Sequence, residues 1–235
     1  MSSSGLFRVL CLPGYTQNGL ILRKKTGALR KTLKSVAELE FVDPPFLMSI
    51  PKEGPEELRK KIAEQLITED EKPYAWFFRQ EDGSCKGLEE AMDHLFALLD
   101  QKGPYDGIFG FSQGAAMAAL ATIALSKEIG DPLRRGCRHP PTKFAILSSG
   151  FRFEDALTLP YYESSSSPCP TLHILGREDT LIAPARTHAL ASLFHQAEIY
   201  EHKGGHVMPS DSAGRKTVLA FLQDIPRGEE DPEEE

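Results

Sequence analysis

A chain of 235 residues is long enough for one domain with a core of its own, so no disulfide or metal staple is required. With 40% apolar and 26% charged residues, wholesale disorder, collagen and coiled coil are excluded, and a net charge of −7 argues against a general nucleic-acid binder. The charge is uneven: Pro226–Glu235 holds six acids and one arginine, which predicts a near-neutral domain over 1–225 and an acidic, disordered tail over 226–235.

The run Phe7–Leu12 is short, mostly apolar and stopped by Pro13-Gly14, as a buried first strand would be. Asn18 is placed to cap a helix running to about Leu39, with Leu22, Leu29, Leu33 and Val36 on one side. A second strand is expected at Glu40–Val42, ended by Asp43-Pro44-Pro45. Glu56–Ile67 carries Leu58, Ile62 and Leu66 at helical spacing, and Leu88–Leu99 is a second amphipathic helix. Tyr105–Phe111 reads as a strand and Gly114–Ser126 as an Ala-rich helix. Strands at Lys143–Leu147, Thr171–Leu175 and Glu198–Glu201 come next, with helices near Pro184–Phe194 and Ala213–Leu222. Alternating strands and helices, with strands apolar almost throughout, predict an α/β domain: a mainly parallel sheet covered by helices on both faces.

Cys11, Cys85, Cys137 and Cys169 show no paired spacing, as expected of free thiols in a reducing compartment. Met1–Gly5 lacks a basic start and an apolar stretch, and no apolar run approaches the ~20 residues needed to cross a bilayer. The expected setting is cytoplasmic, with the nucleus also open, without stable membrane insertion. Protein partners are not legible.

Gly110-Phe111-Ser112-Gln113-Gly114 fits G-x-S-x-G between a strand and a helix, the context of a nucleophile elbow. Its glycines remove Cβ atoms from a tight turn, Ser112 projects its hydroxyl above the sheet, and the Gln113 N–H points into the site near a helix N-terminus. The alternative is a small-residue turn with serine as a helix cap. Ser148 and Ser149 also come after a strand, but Leu147 stands where an elbow needs glycine, so they read as ordinary strand ends.

A nucleophilic serine needs a base, and the base needs an orienting carboxylate, in the chain order Ser, acid, His. Asp179 lies past the strand Thr171–Leu175 and His206 past Glu198–Glu201, both at carboxyl ends of strands, where open parallel sheets place ligands. Glu178 remains the rival acid; Asp131, Asp155 and Asp211 stand less well. His94, His188 and His195 fall in helical spans, His173 inside a strand, His139 in a loop, and His202 lacks the glycine approach of Gly204-Gly205-His206. The turn Leu12-Pro13-Gly14-Tyr15 offers the Tyr15 N–H as a second oxyanion donor beside that of Gln113. Trp76, Phe46, Phe151 and Met208 are candidates to line an apolar substrate groove, whereas Phe77 and Phe78 are read as core.

Leu10-Cys11-Leu12-Pro13-Gly14-Tyr15-Thr16-Gln17-Asn18, Lys25–Lys31 (KTGALRK), Phe41–Pro45 (FVDPP), Tyr105-Asp106-Gly107, Gly110–Ala116 (GFSQGAA), Ser149-Gly150-Phe151 and Gly204-Gly205-His206 together resemble the FSH-type serine hydrolases, over about Phe7 to Leu222. The resemblance implies a single-domain α/β-hydrolase with Ser112, Asp179 and His206 as its triad. It also implies hydrolysis of carboxylic esters, with long alkyl or acyl chains, and a small-molecule ester as partner. One departure stands out: many members have His-Gly after the first strand, and this chain has Pro13-Gly14. A thioesterase using the same triad is the first alternative, and a non-catalytic binding module on the hydrolase fold the second. No cofactor or metal is expected: there is no Cys/His cluster, Walker loop or G-x-G-x-x-G.

Overall fold

The apolar run at the start of the chain forms β1 (Phe7–Leu12), and its side chains alternate between two cores because strand neighbours point to opposite faces. Leu10 and Leu12 enter one cluster, Phe7, Val9 and Cys11 the other. A computed structural model describes residues 5–163, 167–208 and 211–227. The acidic tail therefore lies outside the described residues from position 228 onward.

After β1 come α1 (Gly19–Lys25), α2 (Gly27–Leu33) and β2 (Ala37–Phe41). A long excursion leads through β3 (Phe46–Leu47), α3 (Glu56–Leu66), β4 (Tyr74–Ala75), β5 (Phe78–Arg79) and β6 (Cys85–Lys86). The second half runs α4 (Leu88–Lys102), β7 (Gly107–Phe111), α5 (Gln113–Leu125), β8 (Phe144–Ser148), α6 (Leu159–Glu163), β9 (Thr171–Gly176), α7 (Pro184–Ala191), β10 (Ala197–His202) and α8 (Ser212–Asp224).

Six strands form one sheet in the order β10-β9-β8-β7-β1-β2, and every adjacent pair is parallel. Residues of α1, α2 and α8 (Leu22, Leu29, Leu33, Val218, Phe221) cover one face with Phe109, Phe144 and Ile174. Residues of α4, α5 and α6 cover the other with Leu10, Ile108 and Leu147. The fold is the α/β-hydrolase-type arrangement expected, with helices on both faces. All 13 residues of α5 are buried, and its alanines let the helix settle into the layer between sheet and α4.

The single helix expected from Asn18 to about Leu39 is instead two short helices and a strand. Asn18 does cap α1, its side chain accepting from Ile21 N–H at 2.8 Å. At Thr26 the backbone leaves the helical well (φ −91°, ψ 12°), and Gly27 restarts it as α2. β2 begins at Ala37, inside the expected helix, because pairing with β1 from Phe7↔Ala37 to Cys11↔Phe41 overrides local helical spacing. The two-residue pairings β3·β4 and β5·β6 carry no period to read and are absent from the sequence-based expectation.

The chain steps from β1 to β2 on one side, then crosses to β7 on the other. The gap between the carboxyl ends of β1 and β7 is thus the switch point where parallel sheets hold ligands.

Candidate active site

Ser112 sits between β7 and α5 with φ 54° and ψ −118°, a strained conformation for a residue with a Cβ. The flanking glycines make the turn possible. A Cβ at Gly110 would run into the backbone of Gly114 and Ala115, and one at Gly114 into the carbonyls of Leu12 and Pro13. The turn after β1 also presses against the elbow: a Cβ on Gly14 would stand 3.2 Å from Ser112 Cβ. Tyr15 comes directly after, and among the described residues no acceptor takes the main-chain N–H of Tyr15 or Gln113. Both amides therefore stand free beside the serine hydroxyl.

His206 reaches this point from the loop after β10. Its Nε2 lies 3.0 Å from Ser112 Oγ, its Nδ1 lies 2.7 Å from Asp179 Oδ2, and its ring packs 4.9 Å from that of Phe111. His202 steadies the loop: its Nδ1 accepts from Gly204 N–H at 3.1 Å, while Glu178 N–H donates to Gly204 O at 3.1 Å. The rival acid Glu178 is exposed, and only its backbone takes part.

Asp179 is 1% exposed at its side chain, against 16% for His206. Burial alone would raise its pKa, yet the pKa is lowered. Burial is the largest single influence, but the hydrogen bonds from Ile182 N–H, His206 and the Ser149 hydroxyl, with the charge of His206, together outweigh it. Oδ1 accepts from Leu181 N–H at 3.0 Å and Ile182 N–H at 2.8 Å, and Oδ2 accepts from Ser149 at 3.0 Å and from His206. An ionised carboxylate only accepts, so Nδ1 carries the imidazole proton and Nε2 is left to accept from the Ser112 hydroxyl.

Ser149 is thus no ordinary strand end. It is buried, has φ 49°, and its N–H donates to Ile174 O at 2.7 Å, which aims its hydroxyl at Asp179. Nothing in the local sequence marks this role, since its partner lies 30 residues on.

Pro13 has no N–H, but its carbonyl accepts from Trp76 Nε1 at 2.9 Å. Trp76 N–H in turn donates to Gln113 Oε1 at 3.1 Å, and Gln113 Nε2 donates to Phe77 O at 3.0 Å. Trp76 is therefore a strut joining the two amide-bearing turns, not a groove residue. Thr16, at φ 63°, is fixed from α3 by Lys61 Nζ on its hydroxyl and Gln65 Nε2 on its carbonyl, each at 2.9 Å.

A cavity of about 610 Å³ opens at Ser112, walled by Phe77, Phe78, Phe151, Phe153, Met48 and Ile182, among others. Phe151 stands where expected. Phe77 and Phe78, read as core, face the cavity as well. Phe46 does not: alternation along β3 sends its neighbour Leu47 to the cavity while Phe46 packs on Phe78 at 5.8 Å. Trp76, in the bend between β4 and β5, is turned away from the cavity, toward His94 at 6.2 Å. Met208 packs against the cluster on the opposite sheet face. Among the described residues, no group of three or more His, Cys, Asp or Glu is gathered to hold a metal, and no helix is long and apolar enough to cross a membrane.

The sequence profile described as Serine hydrolase (FSH1) matches residues 1–218. The chain belongs to this serine hydrolase family. A mouse relative named Esterase OVCA2 is 36% identical over 240 residues, spanning 94% of this chain and 98% of its own. The fold is shared with the crystal structure of esterase PE8 (TM-score 0.62, 21% identity, 96% of each chain). It is shared equally with Zea mays acyl-protein thioesterase 2 (TM-score 0.62, 19% identity, 94% of this chain and 96% of that one).

Proposed function

We propose that this family member hydrolyses carboxylic esters through an acyl-enzyme, with Ser112 as nucleophile, His206 as general base and acid, and Asp179 as the group that orients and stabilises the imidazole. The observation that carries the reading is the continuous path from Asp179 Oδ2 through both ring nitrogens to Ser112 Oγ, at 2.7 and 3.0 Å. Ser112 Oγ attacks the ester carbonyl as its proton passes to Nε2. The oxyanion that forms is held by the N–H groups of Gln113 and Tyr15, an arrangement in which one donor contributes roughly 2.7–4 kcal/mol. The C–O bond then breaks, and His206 gives its proton to the departing alcohol. Water, deprotonated by the same ring, attacks the acyl-serine and frees the acid and Ser112.

The substrate is a small-molecule ester with a long alkyl or acyl chain, for which the phenylalanine-walled cavity provides apolar surface. Each methylene buried there adds about 0.8 kcal/mol until the cavity is full. The route needs no metal or cofactor, and four free thiols suit a reducing, cytoplasmic or nuclear setting. Purified protein given p-nitrophenyl esters from C2 to C16 is expected to gain efficiency with chain length, and Ser112→Ala to lose turnover by orders of magnitude while keeping its fold. Near-normal turnover by that variant refutes the nucleophile; flat or falling efficiency refutes the chain site. Matched oxygen and thioesters decide between esterase and thioesterase.

A further inference from the structure

The cavity beside Ser112 is not apolar throughout. Three charged side chains line it: Arg79, Glu154 and Arg186. Arg79 and Glu154 satisfy one another, Nη2 to Oε2 at 2.6 Å. Arg186 is left over. It is half-buried, its Cζ sits 4.7 Å over the Phe151 ring, and among the described residues no carboxylate lies within ion-pair distance and no acceptor takes its guanidinium N–H groups.

The backbone that carries the guanidinium is held in place. The next residue, Thr187, is fully buried and donates its hydroxyl to Gly150 O at 2.8 Å, which pins the first turns of α7 to the Gly150-Phe151 segment. Burial, with repulsion from Arg79, lowers the pKa of Arg186 against the smaller attraction of Glu154. A partly desolvated cation with no hydrogen-bonded carboxylate is unfavourable unless the ligand supplies one. A ring beneath a guanidinium leaves its in-plane N–H edge open, which is the fork a carboxylate fits. Two arginines and one glutamate leave the wall a single net positive charge, which matches a monoanion, and Glu154 disfavours a dianion.

We infer that the substrate carries a free carboxylate at the end of its chain remote from the scissile ester, and that Arg186 receives it. This rests on the reading of Ser112 as an esterase nucleophile. The substrate class narrows to esters bearing a second acid group, with the apolar chain laid along Phe77 and Phe151 between Ser112 and Arg186.

The test compares kcat/KM for acid-ended and methyl-ended esters of equal length, in two series. In one, p-nitrophenyl half-esters of dicarboxylic acids of six or more carbons carry the acid on the acyl side. In the other, acetyl esters of ω-hydroxy acids carry it on the alcohol side. In one series the wild-type protein is expected to favour the acid-ended ester by about 10- to 100-fold, mainly through KM, with the preference shrinking as salt rises. Arg186→Gln removes the preference and Arg186→Lys keeps part of it. The inference is overturned if neither series shows a preference, or if the preference survives Arg186→Gln. Because the readout is a ratio, a general loss of activity in the variant does not imitate the result. Failure of the underlying esterase reading shows separately, as no turnover of any ester by the wild-type protein, and it removes the inference with it.

Discussion

The rim of the sheet and the wall of the cavity meet at Ser112 but are built in different ways. The rim is backbone. Two turns leave parallel neighbours β1 and β7, and their close approach at Gly14 and Gly114 leaves no freedom in where the Ser112 hydroxyl and the two amides stand. The wall is side chains from distant segments, with Leu47, Phe77, Phe151 and Arg186 each supplied by a different stretch between residues 46 and 187. On the proposed reading, chemistry is fixed by geometry that tolerates almost no substitution, while specificity is carried by positions where the backbone is indifferent to the side chain.

Substitutions that strike each region separately sharpen that contrast. Asp179→Asn, on the rim, removes the charge that selects the imidazole tautomer. It is expected to lower kcat by about 10⁴-fold with the melting temperature little changed, measured on any ester the wild type cleaves. Gly114→Ala puts a Cβ into the Leu12 and Pro13 carbonyls and is expected to cost more than about 3 kcal/mol in urea unfolding, because neither backbone can yield. If that variant folds and works normally, the rim is not rigid and the contrast fails.

Acid should act on the sheet beneath the rim before it acts on the wall. His173 in β9 is fully buried, and burial, with repulsion from His188, pushes its pKa down to about 3. The unfolded chain takes up a proton near pH 6.5 that the folded chain refuses. This stability is complete above about pH 6.5 and is lost as pH falls toward about 3, amounting to about 2 kcal/mol at pH 5. Unfolding free energies between pH 7 and pH 5 check it, and His173→Gln should flatten the slope.

Ser149→Ala probes the support under the rim. Loss of one hydrogen bond to a charged acceptor is expected to lower kcat about tenfold with KM unchanged, a pattern that a wall residue would not give. Phe77→Ala probes the wall itself. The ratio of efficiencies on C10 and C2 esters should fall by up to about tenfold, read from the same p-nitrophenyl series. A larger effect on kcat for acetate than on that ratio would show that Phe77 belongs to the rim.

The same contrast explains what the sequence discloses. Ser112, Asp179 and His206 are legible because parallel strands announce themselves as apolar runs, and the residues just past each run must lie at the sheet's carboxyl edge. The wall reads one residue out of phase twice, with Phe46 in place of Leu47 and Trp76 in place of Phe77, since a two-residue strand and a bend between strands give no alternation long enough to set a face. Ser149 and Arg186 are not legible at all. Their meaning lies in partners 30 and 35 residues away, Asp179 and Phe151, and no local pattern encodes those pairings.

The most direct test of Ser112 as nucleophile is intact-protein mass spectrometry after treatment with a fluorophosphonate, with the adduct then mapped to its peptide. The expected result is one phosphonyl group per chain, on the peptide containing Ser112, absent in Ser112→Ala and strongly slowed in His206→Ala. No adduct, or one on another residue with Ser112 unmodified, would contradict the account.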